Sequence, residues 1–157
     1  MRIERVNDYN LIAELNEPVQ NLHHELYPER FKKYNYNEVC KYFERIIDNK
    51  NHNFLVCFIE KEPVGYIWFE EIEKKETAFS KSSHYIYIQQ VSVNENQREN
   101  GVGKYLFNEV LKFAEDNSIK RIGLDYWVKN IIAKQIYKKL GFELEKEITY
   151  LNSQRIQ

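Results

Sequence analysis

The sequence predicts a single α/β domain, residues 1–157, in which helices pack against the faces of a mixed sheet. Short β-type runs alternate with segments whose apolar residues recur at helical spacing, which is typical of layered α/β domains. A chain of 157 residues suits one domain. Its composition, 43% hydrophobic and 30% charged, is that of a folded protein. The predicted order of elements is βααβββαβαβ.

The chain is predicted to begin with a strand and a long helix. Residues 1–6 alternate polar and apolar side chains, which is the pattern of a strand. Asn7 or Asp8 can cap the helix that follows, along which leucine, isoleucine and valine recur. Pro18 is expected to kink or split this helix, and Pro28 to end it.

A second helix and a hairpin are expected next. Asn37 is a candidate N-cap for an amphipathic helix. Residues 54–59 and 64–72 are two β-type runs separated by a turn, and they predict an antiparallel hairpin. The charged segment 70–83 is interpreted as an extension of this hairpin with a mobile loop. The apolar stripe of the helix comprises Val39, Tyr42, Phe43, Ile46 and Ile47.

The second half of the chain is predicted to alternate strands and helices. Asn130 can cap the last helix, and Gly141 stands where a left-handed C-cap belongs. In chain order, the predicted elements are a strand at 84–93, a glycine-bearing loop at 97–103, a helix carrying Val102, Leu106, Val110 and Phe113, a strand at 119–128, a helix after Asn130, and a final strand at 142–151.

The charge and the apolar segments argue against nucleic-acid and membrane partners. Lys and Arg number 23 against 24 Asp and Glu, so the net charge of -1 provides no bulk field for a polyanion. An interpretation of the chain as a nucleic-acid binder that uses its many aromatic residues is disfavoured for the same reason. The first residues lack the features of a signal peptide, and no stretch approaches the roughly 18 apolar residues of a membrane span. A cytoplasmic location is expected.

Cysteine and histidine patterns predict no metal site. Cys40 and Cys57 are far apart and lack zinc-type spacing, so both are interpreted as buried free thiols. His23 and His24 are adjacent rather than four residues apart, so one helix face cannot present both to a metal.

The most informative segment is residues 97–104, a glycine-bearing loop between a strand and a helix. Glycines let the backbone approach a ligand, and a helix start offers unpaired N–H groups to a phosphate. The alternative is that Gly101 and Gly103 only shape a tight turn. A Walker A loop is excluded because Tyr105 follows Lys104, and a dinucleotide fingerprint because its third glycine is replaced by Leu106.

At this loop the chain resembles the GNAT acetyltransferases. That family's signature, Gln/Arg-x-x-Gly-x-Gly/Ala at the end of the fourth strand, is matched by Arg98-Glu99-Asn100-Gly101-Val102-Gly103. The resemblance extends to Val91-Ser92-Val93 before the loop and to the Asn, Ala, Tyr and Leu-Gly-Phe pattern of residues 130–142 after it. Residues 84–145 carry the resemblance, which also implies a largely antiparallel sheet.

The resemblance implies acetyl-CoA as the co-substrate and assigns it a set of contacts. The fourth and fifth strands are expected to splay apart and admit the pantetheine arm. Asn130 is implied as a CoA contact and also fits an N-cap, and the two roles are compatible. The implied cofactor contacts are Val91, Ser92 and Val93 along the pantetheine, and the backbone of Arg98, Glu99, Asn100, Gly101, Val102, Gly103 and Lys104 at the pyrophosphate.

The resemblance also implies the chemistry, an amine attacking the thioester directly in a ternary complex. Tyr137 is implied as the proton donor to the departing thiolate, although its spacing also suits a core aromatic. Many members place a glutamate base on the fourth strand, where this chain has Gln89 and Gln90, and glutamine cannot act as a base. His84, Glu70 and Asp125 remain open as alternatives, as does a relay through water.

The acceptor site is expected at the first two helices and their connection. His24, Tyr27, Phe31 and Gln89 are the candidate acceptor contacts, and helix packing is the alternative role for that aromatic stretch. A nearby glutamate, Glu25 or Glu29, could attract a cation.

The predicted function is acetylation of a small-molecule or protein amine, without a metal. The alternative is a non-catalytic acyl-CoA-binding module, motivated by the missing strand glutamate. A homodimer is common among the proteins that the chain resembles.

Overall fold

The computed structural model describes residues 1–153 as two compact units, Met1–Asp125 and a second unit that begins at Tyr126. The prediction of a single domain stays a prediction. The first unit contains β1 (Arg2–Arg5), α1 (Tyr9–Leu26), α2 (Tyr36–Ile46), β2 (His52–Ile59), β3 (Glu62–Lys74), β4 (Ser83–Val93), a 3-10 turn (Glu95–Gln97), α3 (Val102–Asp116) and β5 (Ile122–Leu124); the second contains α4 (Ile131–Lys139).

The first unit is built on a five-stranded sheet in the order β1-β2-β3-β4-β5. The first four strands pair antiparallel with their neighbours, and β5 pairs parallel with β4. The parallel pair requires a crossover, which α3 supplies. This mixed, largely antiparallel sheet confirms the predicted fold class.

Helices cover both faces of the sheet. Successive strand residues point to opposite faces, and the Trp68 ring contacts Phe43 of α2 at 5.7 Å whereas the Phe69 ring contacts Phe113 of α3 at 5.1 Å. We call these the α1/α2 face and the α3 face. The core of the α1/α2 face comprises Ile12, Ala13, Leu15, Phe43, Ile47, Phe54, Val56, Tyr66 and Trp68, and α3 buries Val102, Leu106, Phe107, Val110 and Ala114.

A β-bulge at Gln89 changes which face β4 presents. Phe69 of β3 pairs with Ile88 and Trp68 pairs with Gln90, so Gln89 is the additional residue. Ile88 therefore shares the α3 face with Phe69, whereas Gln90 shares the α1/α2 face with Trp68. The side-chain amide of Gln90 therefore lies on the α1/α2 face, although Ile88, two residues earlier, lies on the α3 face.

The helix starts differ in part from the predictions. The Asp8 carboxylate caps α1, accepting from the N–H groups of residues 10 and 11 at 3.0 and 3.1 Å. Pro18 lies inside α1 without splitting it, and the helix ends before Pro28 as predicted. The prediction of Asn37 as the cap of α2 is wrong, because Asn35 accepts from the Glu38 N–H at 3.1 Å and Asn37 lies inside the helix.

Two strand predictions need correction. Strand 119–128 is reduced to Ile122–Leu124. The final strand at 142–151 is absent, so the observed order among the described residues ends in α4. A strand needs a partner for its backbone groups, and the described part of the second unit contains no other strand with which 142–151 could pair. No helix in the described residues is both long and apolar enough to cross a membrane.

Candidate active site

β4 has an unpaired edge beyond the point where β5 ends. β5 pairs only with residues 86–88, and no strand of residues 1–153 covers that side of residues 89–93. Asn94 donates its N–H to the Val64 carbonyl at 2.9 Å, so its backbone groups point toward β3. In an antiparallel ladder every second residue of a strand points its backbone groups to the same side, and the residues between them point to the other side. The backbone polar groups of Val91 and Val93 therefore face away from β3, toward the gap expected between the fourth and fifth strands.

Ser92 has a different role from its two neighbours. It pairs with Tyr66 of β3, and its Oγ donates to the Leu15 carbonyl of α1 at 2.6 Å. The side chain is 3% exposed. On β3, a Cβ added to Gly65, which pairs with Val93, would lie 2.6 Å from the Ser92 carbonyl oxygen, so only glycine permits this approach. Ser92 thus fixes β4 between β3 and α1 and directs Val91 and Val93 to the unpaired edge.

The loop after β4 has the geometry of an anion cradle. Gly101, with φ of 79°, precedes α3 and supplies no side-chain cap, and Glu99 also adopts a positive φ of 67°. The first N–H groups of α3 lack carbonyl partners within the helix. A Cβ added at Gly101 or Gly103 would meet nothing within 4 Å, so open space adjoins these groups.

Short-range contacts hold the cradle. The Arg98 guanidinium lies 3.7 Å from the Glu95 carboxylate, and Asn100 Nδ2 donates to Gln97 Oε1 at 3.2 Å. Val102 is 1% exposed and anchors the start of α3 in the core, whereas Lys104 is exposed in its first turn. The buried valine keeps the helix start in place while a lysine remains available to an anion.

A buried polar network lies beside the bulge. Asn16 Nδ2 donates to the Tyr66 hydroxyl and to Gln90 Oε1, both at 2.9 Å, and the Tyr66 hydroxyl donates to Gln90 Oε1 at 2.6 Å. Burial raises the pKa of Tyr66 well above its usual value, so it remains a neutral hydroxyl. Sequence reasoning missed Asn16 and Tyr66, which are 50 residues apart in the chain.

A cleft of about 300 Å³ opens beside this network. It lies where the acceptor site was expected, between α1, α2 and the sheet. The residues that were predicted as acceptor contacts, His24, Tyr27, Phe31 and Gln89, are not among those that line it. Its lining includes Asn16 and Gln90, which we call the floor, Lys32, Lys33 and Glu38, which we call the rim, and Tyr42 and Trp68, which we call the wall.

The predicted acceptor residues near the end of α1 fasten the connection between α1 and α2. His24 Nδ1 lies 2.7 Å from the Phe31 carbonyl, and the rings of His23 and Phe31 stack at 5.0 Å. Gln20 Nε2 donates to the Lys32 carbonyl at 2.7 Å. Burial lowers the pKa of His23, an effect that Asp125 opposes. These contacts hold the rim of the cleft in position.

The three candidate bases lie in different places. Glu70 accepts from Gln89 Nε2 at 2.7 Å, directly at the bulge. Asp125 accepts from the Tyr87 hydroxyl at 2.6 Å, and burial and this bond raise the pKa of Tyr87. His84 is hydrogen-bonded to Glu71 at 2.7 Å. At about 3.3 Å per strand residue, His84 lies roughly 17 Å along β4 from Gln89.

The two remaining predicted residues belong to the second unit. Asn130 Oδ1 accepts from the Ala133 N–H at 3.1 Å, so Asn130 is the N-cap of α4. The Tyr137 ring packs between Tyr126 and Phe142, at 6.0 and 5.7 Å. Gly141, with φ of 90°, follows the helix as predicted.

Comparisons with known proteins agree on one family. The family described as Acetyltransferase (GNAT) family matches residues 16–142. An N-acetyltransferase of Methanocaldococcus jannaschii is 31% identical over 126 residues, which cover 75% of this chain and 52% of that protein. The chain therefore spans about half the length of this curated relative.

Solved structures share the fold. The tetramutant of a Bacillus halodurans protein, BH1408, superposes with a TM-score of 0.88 at 23% identity, and the match covers 97% of this chain and 99% of the other. A possible acetyltransferase from Clostridium difficile gives 0.76 at 20% identity, with 97% and 96% covered. An aminoglycoside 6'-N-acetyltransferase from Acinetobacter haemolyticus gives 0.72 at 14% identity, with 98% of both chains covered.

Proposed function

The chain belongs to the acetyltransferase (GNAT) family, and we propose that it transfers the acetyl group of acetyl-CoA to an amine. The observation that carries the proposal is that the unpaired edge of β4 leads directly into the cradle at 98–104. A long ligand with a polar, amide-containing arm and a pyrophosphate matches that sequence of backbone groups. The acceptor is an amine of a small molecule or a protein.

The cradle fits the pyrophosphate of CoA. The first N–H groups of α3 and the positive end of its dipole favour an anion. The open space beside Gly101 and Gly103 lets phosphate oxygens approach the backbone closely. Lys104 adds a cation in the same turn. The near-neutral chain therefore has a local means of holding a polyanion.

The edge of β4 fits the pantetheine arm. Val91 and Val93 direct backbone donors and acceptors toward the gap, as an added strand would require. Ser92 contributes by fixing β4 to α1 through its hydroxyl rather than by offering its side chain to the ligand. The cleft at the α1/α2 face opens at Gln90, next to Val91, and is the proposed acceptor site.

Acetyl-CoA, when bound, supplies the acetyl group as a thioester that an amine can attack. Glu70 is the proposed base, because among the candidates it alone is hydrogen-bonded to the bulge residue. Tyr137 is the proposed proton donor, since it occupies the tyrosine position of the family pattern. Asn130 is proposed to contact CoA as well as to cap α4.

Mass spectrometry of an amine panel incubated with protein and acetyl-CoA tests this proposal. We expect an amine product heavier by one acetyl group, formed only when acetyl-CoA and folded protein are both present. Tyr137→Phe should lower turnover by about 10²- to 10⁴-fold, the usual contribution of a general acid, while acetyl-CoA affinity stays unchanged. Turnover unaffected by this change would remove Tyr137 from the mechanism.

The alternative is a non-catalytic acyl-CoA-binding module, and one observation favours it. Gln90 occupies the strand region where many family members have a glutamate base, and its Oε1 is engaged by Asn16 and Tyr66. Acetyl-CoA binding without acetylation of any amine in the panel would support this alternative.

A further inference from the structure

The floor of the cleft carries two amides whose hydrogen-bonding capacity is only half used. Asn16 spends both Nδ2 hydrogens on the Tyr66 hydroxyl and Gln90 Oε1. Gln90 Oε1 also accepts from the Tyr66 hydroxyl. Within residues 1–153, Asn16 Oδ1 and Gln90 Nε2 form no hydrogen bond to another residue.

The two residues that carry these vacant groups line the cleft. Asn16 is only 3% exposed, yet no fully buried side-chain nitrogen or oxygen of the described chain lacks a hydrogen-bond partner. Asn16 Oδ1 therefore keeps some exposure to solvent, and Asn16 is one of the residues that line the cleft. A nearly buried amide with a vacant acceptor favours a ligand that fills it.

One donor group and one acceptor remain vacant whichever way the oxygen and nitrogen of the two side-chain amides are assigned. If both were reversed, Gln90 Nε2 would donate to Asn16 Oδ1 and to the Tyr66 oxygen, and the Tyr66 hydroxyl would donate to Asn16 Oδ1. One NH₂ group and one oxygen would again be left over. The floor therefore offers one donor and one acceptor, which is the complement of a peptide group.

The rim of the cleft carries a net positive charge. Two lysines and one glutamate line it, and Lys32 Nζ bonds the Glu38 carboxylate at 3.1 Å. Lys33 is the lining cation outside this ion pair. The segment that carries it is fastened to α1 on both sides, by the bond from Gln20 to the Lys32 carbonyl and by the Tyr34 hydroxyl, which donates to the α1 backbone at 2.7 Å.

An aromatic wall faces the cleft. Tyr42 is 51% exposed, and its ring meets Trp68 edge-on at 6.3 Å. Val39 and Phe43 extend this apolar surface. An apolar side chain that covers Tyr42 would remove exposed aromatic area from water.

We propose, building on the proposed function, that the acceptor is a short peptide or peptide-like amine with an amide, an apolar side chain and a carboxylate. Asn16 and Gln90 bind the amide, the aromatic wall contacts the side chain, and Lys33 pairs with the carboxylate. The positive rim disfavours polycations such as polyamines, because like charges repel across the cleft.

Tryptophan fluorescence can measure acceptor binding independently of turnover. The chain has two tryptophans, so Trp127→Phe leaves Trp68 in the cleft as the sole reporter. This variant is titrated, with and without CoA, with glycyl-phenylalanine, its C-terminal amide, its N-methylated peptide-bond analogue, and spermidine. Comparing the four ligands separates the contributions of the carboxylate, the peptide N–H and the overall charge to binding.

We expect saturable binding of glycyl-phenylalanine and weaker binding of both analogues, with no spermidine binding. Loss of the carboxylate should weaken binding by about two- to fivefold, the range for an exposed ion pair. Lys33→Gln should weaken binding of the dipeptide by the same factor and leave binding of its C-terminal amide unchanged. Lys41→Gln, an exposed α2 lysine outside the cleft, is the matched control and should change neither.

Several results would overturn the peptide proposal. One is that spermidine binds as tightly as the dipeptide, and another is that Lys33→Gln weakens binding of the dipeptide and of its C-terminal amide equally. The others are that N-methylation of the peptide bond leaves the affinity unchanged, or that no peptide binds. Acetylation of other amines without peptide binding would refute this inference while leaving the proposed function intact. Peptide binding without acetyl transfer would refute the proposed function and leave only the assignment of the cleft as a peptide-binding site.

Discussion

The two halves of the candidate site are built from different chemistry. The CoA half uses backbone groups of one contiguous stretch, from Val91 through the cradle at 98–104. The acceptor cleft uses side chains from α1, α2, their connection, β3 and β4. A backbone site needs only a few local conditions, such as a positive φ at Gly101. A side-chain site depends on every element that contributes to it.

The two halves also differ in whether they contain the family motif. The contiguous half carries the motif by which the chain resembles its family. The composite half contains side chains that lie outside that motif, including the amides at Asn16 and Gln90 and the lysine at position 33. Changes in the first half should alter acetyl-CoA binding, and changes in the second should alter acceptor use or stability.

Removing the proposed base has the largest expected effect. Glu70→Gln keeps a hydrogen-bond acceptor for Gln89 but cannot take a proton, so kcat should fall by about 10²- to 10⁴-fold. Steady-state kinetics at one fixed pH measure the loss of kcat in the variant.

Glu71→Gln is the matched control for that experiment. Glu71 is the next carboxylate of β3 and is bonded to His84. An unchanged kcat in Glu70→Gln, or an equal loss in Glu71→Gln, would contradict the assignment of Glu70.

Filling the open space of the cradle should affect only the CoA half. Gly103→Val adds a side chain where no atom of the protein lies within 4 Å of the new Cβ, so the fold should tolerate it. Loss of one charge-assisted bond to phosphate, about 1.5–3 kcal/mol, corresponds to roughly 10- to 100-fold weaker acetyl-CoA binding. Calorimetry measures this change.

Asn108→Val, at an exposed position of the same helix, is the control and should bind acetyl-CoA normally. The fluorescence response to acceptor should survive in both variants. Normal acetyl-CoA binding by Gly103→Val would show that the open space is not part of the site.

Disrupting the buried network should affect stability first. Tyr66→Phe leaves a hydrogen of Asn16 and a lone pair of Gln90 without their partner, which costs about 1–3 kcal/mol of unfolding free energy. Chemical denaturation measures the loss. Tyr105→Phe, which removes an exposed hydroxyl, should cost less than about 0.5 kcal/mol. Equal losses would show that the network does not support the cleft.

Local patterns in the sequence predicted most of the first unit. The hairpin of β2 and β3, the strand β4 and the helices α1 to α3 follow from apolar spacing and from turn residues. The cap of α2 was misplaced because asparagines stand at both 35 and 37, and only the backbone path decides between them. The strand predicted at 142–151 had the right alternation but lacks a partner strand in its own unit.

The cleft could not be predicted because its determinants are non-local. Asn16 looks like an ordinary polar residue of an amphipathic helix, yet its partner Gln90 is 74 residues away. Gln89 and Gln90 are identical side chains, and only the bulge makes one of them line the cleft. The cradle, in contrast, was identified from consecutive residues.

Calorimetric titration with acetyl-CoA, compared with a pantetheine fragment that lacks the pyrophosphate, tests the central claim most directly. We expect one site with micromolar affinity for acetyl-CoA and binding by the fragment that is weaker by at least about tenfold, as the loss of charge-assisted phosphate bonds requires. No binding of acetyl-CoA, or equal binding of the fragment, would contradict the assignment of the cradle.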